Sequence, residues 1–276
     1  MEQNNTVYTT GVIILIIIII AGISYSVYSL FIKDDNTNFN TEELDNIGLE
    51  LFDMVDNRQG YDLPFFDTEN TLTYDSIIDT EKLVLAHKLI PDSEKTINEE
   101  CTNALSNCAF ETFSAATMEK YYHELFGSDK TVNHQFYTIY NNHLTCSYRT
   151  DEYECTVRLG INEASVIQYI KYDSTKEVDG DIIITVKNLY VIDDVGIYSD
   201  STESNRIDNL EYYDDQMSSL SENDYNNGIN GINNSNYNNF INNLFAKYNI
   251  SAGIYKVTFK KDANDNYYWY SSEIVK

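Results

Sequence analysis

SVIQYIKYD (residues 165–173) and DIIITVKNLYVID (residues 181–193) are the stretches on which the fold is decided. Both are long and dense in β-branched and aromatic residues, which suit a pleated, half-buried surface better than a helix. They read as two strands, over 164–173 and 181–192, with Ser174 to Gly180 as the loop between them. Three more candidate strands precede them, over 135–140, 144–149 and 153–158. Two follow, IYKVTFK (254–260) and YYWYSSEIV (267–275), and DANDN between these is a hairpin turn signal.

Upstream of the strands the period changes from two to 3.6. Thr41 can cap a helix over 42–57, whose stripe is Leu44, Ile47, Leu51, Phe52 and Val55. A second helix is predicted over 80–89, stopping before Pro91, with Leu83, Val84 and His87 on one side. A third runs from Thr117 to a Gly127 cap, with Met118, Tyr121, Tyr122, Leu125 and Phe126 inward. Residues 97–113 suggest only further helical turns. Residues 193–235 are polar and acidic, and 11 Asn fall within 223–243, so the expectation there is a mobile insertion without a core of its own. A short helix over 236–248 should follow, carrying Phe240, Ile241, Leu244 and Phe245.

Residues 12–32 stand apart. VIILIIIIIAGISYSVYSLFI carries no charge, and at about 1.5 Å per residue it would span roughly 30 Å, the depth of a bilayer core. No Lys or Arg precedes it, which argues against a cleaved signal peptide, and Tyr25, Tyr28 and Lys33 suit an interface. The expected layout is a tail at 1–11, an anchor at 12–32, a stalk at 33–40 and an α+β domain at 41–276. Lys33 alone bears on orientation by charge and slightly favours a cytoplasmic domain. The cysteines argue for the opposite side.

Cys101, Cys108, Cys146 and Cys155 form an even set. A symmetric two-residue turn at Thr150-Asp151 sets Arg149 opposite Glu152, Tyr148 opposite Tyr153, and Cys146 opposite Cys155. Their α-carbons would then be about 4.5 Å apart, inside disulfide range. On one continuous helix Cys101 and Cys108 would be about 10 Å apart, so they pair only if Thr102–Asn107 loops. The expected pairing is 101–108 with 146–155, which needs an oxidising compartment. Zinc on Cys146 with His143 or His134 lacks any CxxC or HxxxH spacing, and four reduced thiols are the remaining alternative.

Charge and motifs exclude more than they assign. With 18 basic against 44 acidic residues, net −26, the chain repels nucleic-acid phosphates and anionic headgroups. Asp262, Asn264, Asn266 and Glu273 match positions 1, 3, 5 and 12 of a calcium loop, but Tyr267 occupies the position that needs glycine, so a polar hairpin is the better reading. No GxSxG, HExxH, SxxK or Gly-rich phosphate loop is present. His87 and His123 read as core or surface residues. Asp193-Asp194 and Asp214-Asp215 are the carboxylate pairs that a glycosidase could use. Tyr148, Tyr153, Tyr268 and Tyr270, with Tyr267 and Trp269, could line a ligand-facing concavity or simply pack a core.

Helices followed by an antiparallel sheet make an α+β domain. Its element order over 41–276 resembles the NTF2-like, cystatin-like cone, in which helices cover one concave sheet. No residue motif carries that resemblance, so it implies no site. The whole layout, with its abundant Asn, Ile, Asp and Tyr, is similar to uncharacterised single-pass extracytoplasmic proteins of low-GC Gram-positive bacteria, which imply no activity. The expectation is a membrane-anchored domain, without cofactor or catalysis, that meets an envelope polymer or protein. The alternatives are a degenerate envelope hydrolase using carboxylates and a cytoplasm-facing scaffold.

Overall fold

The computed structural model describes residues 41–56, 64–66, 71–101, 108–139, 144–157, 166–192, 195–199, 205–229 and 234–275. The tail, the anchor and the stalk lie outside them. Among the described residues no helix is long and apolar enough to cross a membrane.

Among the described residues, two antiparallel sheets replace the single expected one. In chain order the strands are β1 (Leu72–Thr73), β2 (Thr96–Ile97), β3 (Glu111–Ser114), β4 (Tyr137–Ile139), β5 (Leu144–Arg149), β6 (Glu152–Val157), β7 (Val166–Val178), β8 (Asp181–Ile192), β9 (Gly196–Tyr198), β10 (Arg206–Asp208), β11 (Gly253–Lys261) and β12 (Tyr267–Ile274). The larger sheet runs β1-β12-β11-β8-β9-β10, with β7 on the other side of β8. The smaller runs β2-β3-β6-β5-β4. The α+β class stands, but the strands do not share one concave sheet. The short strand β3, hidden in a stretch that reads as helical turns, pairs with β6 and so draws β5 and β6 into a sheet of their own.

The β7–β8 pair is the spine of the larger sheet. The segment expected as a loop from Ser174 to Gly180 is mostly strand: β7 continues to Val178, with a bulge near Asp173. Asp179 and Gly180, both at positive φ, close the hairpin in two residues. This is the Asp-Gly turn whose twist matches that of the flanking strands. Ile182, Ile184 and Val186 of β8 lie beside Phe259, Val257 and Tyr255 of β11, all fully buried.

One face of this pair is covered by α1 (Thr41–Val55), which buries Leu51, Phe52 and Val55 against β7 and β8. Gly48 makes the approach possible, since a Cβ there would collide with the Thr175 side chain. Phe52 meets Tyr172 at 6.0 Å between ring centroids. Nearby, α2 (Asp79–Leu89) packs on α3 (Ala115–Phe126). The α3 stripe is the expected one: Met118, Tyr121, Tyr122, Leu125 and Phe126 are buried. The helix starts two residues early because Ser114 Oγ caps the Thr117 N–H at 3.0 Å. Trp269 of β12, fully buried, joins this layer to the larger sheet through Phe65 at 4.9 Å and Phe126 at 6.0 Å.

The other face of β8 corrects the reading of 193–235. Instead of a coreless insertion, the described part holds β9, β10, α4 (Glu211–Ser218) and α5 (Glu222–Ile229), followed by α6 (Ser235–Lys247). Tyr213, Tyr237, Phe240, Leu244, Phe245 and Tyr248 gather around Tyr169, Leu189, Val191 and Ile197. A polar average concealed a few aromatics, each large enough to bury on the order of 150–250 Å². The expected helix over 236–248 is α6, capped by Asn234 through the Asn236 and Tyr237 N–H groups.

The β5–β6 hairpin closes through Thr150 and Asp151, at φ 50° and 64°. A β-branched residue in the left-handed region costs about 1–2 kcal/mol. Thr150→Asn is therefore expected to stabilise the domain by about 0.5–1 kcal/mol, since Asn suits that turn position. The measure is the urea midpoint at unchanged m-value. A lower midpoint would show that the Thr150 side chain compensates its backbone.

Candidate functional site

Both expected disulfides are formed. Cys101 and Cys108 are 5.6 Å apart at Cα, and Cys146 and Cys155 are 4.0 Å apart. The second joins paired residues of β5 and β6, and the flanking register is the expected one: Tyr148 opposite Tyr153 and Arg149 opposite Glu152.

The calcium loop is not assembled. Asp262 Oδ1 accepts the Asn264 and Asn266 N–H groups at 2.9 and 3.0 Å, capping its own turn. Asn264 reaches Ser128 Oγ at 3.2 Å. Glu273 sits opposite Lys256, six residues up β12 from Tyr267, or about 20 Å along the strand. β11 and β12 close as a hairpin here, with the Asp262 carboxylate holding the turn.

The aromatic set does not converge either. Tyr148 and Tyr153 belong to the smaller sheet, Tyr268 and Tyr270 to the larger. Tyr153 is fully buried, with its hydroxyl 2.9 Å from His134 Nδ1. Tyr148 stacks on His134 at 4.7 Å and donates to Asp151 at 3.1 Å. Tyr270 is exposed, its ring 4.1 Å from Lys260 Nζ. Tyr267 lines a groove, while Trp269 packs the core. Of the carboxylate pairs, Asp193-Asp194 lies outside the described residues. Asp214 and Asp215 are exposed on α4, whose buried residue is Tyr213.

Two other places gather chemistry. The first is buried, between α2 and the smaller sheet. His87 of α2 approaches Glu111 of β3 at 2.6 Å, from Nε2 to Oε1. That separation is within hydrogen-bond reach, although the imidazole N–H does not point squarely at Oε1. Lys95 Nζ lies 3.4 Å from Glu111 Oε2 and 3.2 Å from His87 Nε2. The Tyr137 hydroxyl is 2.6 Å from His87 Nδ1, and Cys146 Sγ is 3.8 Å from the same nitrogen. Burial pushes the His87 imidazole below its ordinary value and Glu111 only partly restores it, so the ring is neutral. Burial works against the Glu111 carboxylate, but His87 and Lys95 together hold it below the usual carboxylate range. The cluster is thus a carboxylate with one ammonium counter-charge, a neutral imidazole and a disulfide. Sequence reasoning placed His87 on the core side of its helix and missed its partners. The legible signal was Glu111, a carboxylate at an inward position of the short alternating strand Glu111–Ser114.

The second place is a groove of about 780 Å³ between α1, α3 and the β11–β12 turn. Ile47, Leu51, Met54 and Leu89 contribute its apolar lining, and Glu50, Asp53, Glu124, Asp262 and Asp265 its carboxylates. Lys120 borders it but is engaged with Glu94 at 2.7 Å, and Lys261 holds Asp265 at 3.0 Å. Partial burial raises the Glu124 carboxyl against the pull of Lys120. The groove can accept a cationic group on an apolar base. His87 and Glu111 do not line it.

No family model matches this chain, and no curated protein or solved structure matches it. Function has to be argued from these two places.

The buried cluster fixes the direction of pH dependence. Because folding lowers the His87 value, acid favours the unfolded chain. That contribution is complete above the ordinary imidazole value of 6.5 and drains away as pH falls toward the folded value. Glu111 acts in the same sense lower down: its contribution is present above 4.5 and lost as pH falls through its depressed folded value. Urea unfolding of the oxidised chain at pH 7.5 and 5.5 should show a loss of stability that shrinks in His87→Gln. Parallel losses in the two proteins would remove His87 as the sensor. At pH 7.5, His87→Ala should cost about 3 kcal/mol, from the cavity and the stranded Glu111 and Tyr137 groups.

Proposed function

We propose that residues 41–276 form a binding or bracing domain on the extracytoplasmic side of a membrane, anchored by residues 12–32 and without catalytic activity. The observation that carries this reading is the pair of closed disulfides. Cys146–Cys155 is buried, cross-strand and in register, and such bonds persist where the compartment is oxidising. The uncharged run at 12–32, long enough for a bilayer core, supplies the anchor. The −26 charge keeps a domain on so short a stalk off anionic headgroups.

Binding is favoured over catalysis by where the titratable groups lie. The neutral imidazole and the depressed carboxylate are sealed between α2 and the smaller sheet. The groove, by contrast, has the size and mixed lining of a recognition surface. A basic or amine-bearing segment of an envelope protein or polymer fits its carboxylates. The hydrolase alternative requires paired acids facing a pocket: Asp214 and Asp215 stand exposed on α4, so it would have to use the groove carboxylates, Glu50 and Glu124 among them.

External protease added to intact cells should remove the domain, and alkylation under denaturing, non-reducing conditions should find no free thiol. Protection from protease together with four alkylated cysteines would establish the cytoplasm-facing scaffold. Deletion of residues 1–40 should move the domain from the membrane fraction to the soluble one. Retention on the membrane would mean that the anchor lies elsewhere.

A further inference from the structure

The buried cluster has a composition that its disulfide conceals. One ligand atom each from His87, Glu111, Cys146 and Cys155 lies within 4.8 Å of the other three, and all four residues are buried. In a tetrahedral zinc site with bonds of about 2.0 to 2.3 Å, ligand atoms sit roughly 3.3–3.8 Å apart. The four groups are therefore gathered to nearly that spacing. Glu111 Oε1 lies 2.6 Å from His87 Nε2, and the Glu111 side chain is only 5% exposed. Lys95 balances the charge of this carboxylate, and its oxygen is a ligand type that zinc takes beside thiolate and imidazole.

We propose that reduction of Cys146–Cys155 turns this cluster into a zinc site with Cys146 Sγ, Cys155 Sγ, His87 Nδ1 and Glu111 as ligands. A dithiol supplies two electrons and two protons: the S–S bond breaks, two thiols form, and the reductant becomes a disulfide. Zn²⁺ then binds both sulfurs as thiolates, and their two protons leave to solvent. His87 turns Nδ1 to the sulfur already 3.8 Å away, and the Tyr137 hydroxyl gives up that nitrogen.

Charge makes the exchange tolerable in a buried place. In the oxidised chain the disulfide and imidazole are neutral, and Glu111 is balanced by Lys95. In the zinc state two thiolates and Glu111 set three negative charges against the +2 of the metal and the +1 of Lys95. Both states sum to zero, so neither leaves an uncompensated buried charge. The site is independent of which side of the membrane the domain occupies. It would serve the chain before oxidation or under a reductant, with metal bridging the same strands that the disulfide bridges.

The test uses the full-length protein in detergent, reduced with a phosphine and titrated with Co²⁺. One equivalent should bind, with a thiolate-to-cobalt charge-transfer band and d–d bands of tetrahedral intensity, both abolished by Zn²⁺. Cys146→Ser, Cys155→Ser and His87→Ala should lose these bands. The double variant Cys101→Ser/Cys108→Ser should keep them. Should reduction unfold the metal-free chain, recovery of its circular dichroism on adding Zn²⁺ supports the site, and failure to recover overturns it. The proposal also fails if reduced wild-type protein shows no more thiolate–cobalt absorbance than Cys146→Ser, or if the Cys101/Cys108 variant loses it.

Discussion

Strand β8 has to be covered on both faces at once. From Asn188 to Ile192 every residue is buried, whichever way its side chain points. A strand in that position cannot sit at a water-facing surface, so the chain must supply two layers for one sheet. Helix α1, Phe65, Phe66 and Trp269 contribute to one. The polar segment after β8 supplies the other, folding back so that Tyr213, Tyr237 and Phe240 reach Leu189 and Val191. This demand explains why the described part of an Asn-rich stretch packs here. Its aromatics are held by a surface that would otherwise be wet, and their burial offsets a conformational entropy cost that its own composition could not meet.

The parts legible in sequence are those where a local period and a local turn agree. Residues 144–157 are the clearest: two alternating runs and a two-residue turn leave one register, and that register places Cys146 against Cys155. The long strands and the α3 stripe were visible for the same reason. What escaped was short or non-local. Strands β1 and β2 have two residues each and exist because β12 and β3 offer them an edge. Strand β3 has four, too few for a period to declare itself, yet it decides that there are two sheets. The loop reading of 174–180 failed because charge and polarity outweighed the Asp-Gly turn signal.

The candidate places were less legible than the fold. Proximity in sequence points to His143 and His134 as partners of Cys146, whereas the imidazole that reaches its sulfur comes from His87, 59 residues upstream. Helix α2 and the strand edge bring together residues whose spacing follows no motif. The groove is a product of packing between α1, α3 and a hairpin tip, and no linear pattern encodes it. Even so, Asp262 and Asn266, singled out for calcium, do line that groove, while holding their own turn together.

The larger sheet is interrupted by the smaller one. Its first strand, β1, pairs Leu72 with Ser272, two hundred residues away, while the smaller sheet lies wholly within residues 96–157. The two sheets therefore become possible at different moments of synthesis. A chain emerging N-terminus first can complete the smaller sheet, and both of its short covalent loops, while the ribosome still holds the rest. The larger sheet has to wait for β11 and β12, and until β11 appears β8 lacks the strand that pairs with its residues 182–188. That interval is the time when a hydrophobic strand stands bare, with neither its sheet neighbour nor its second covering layer complete.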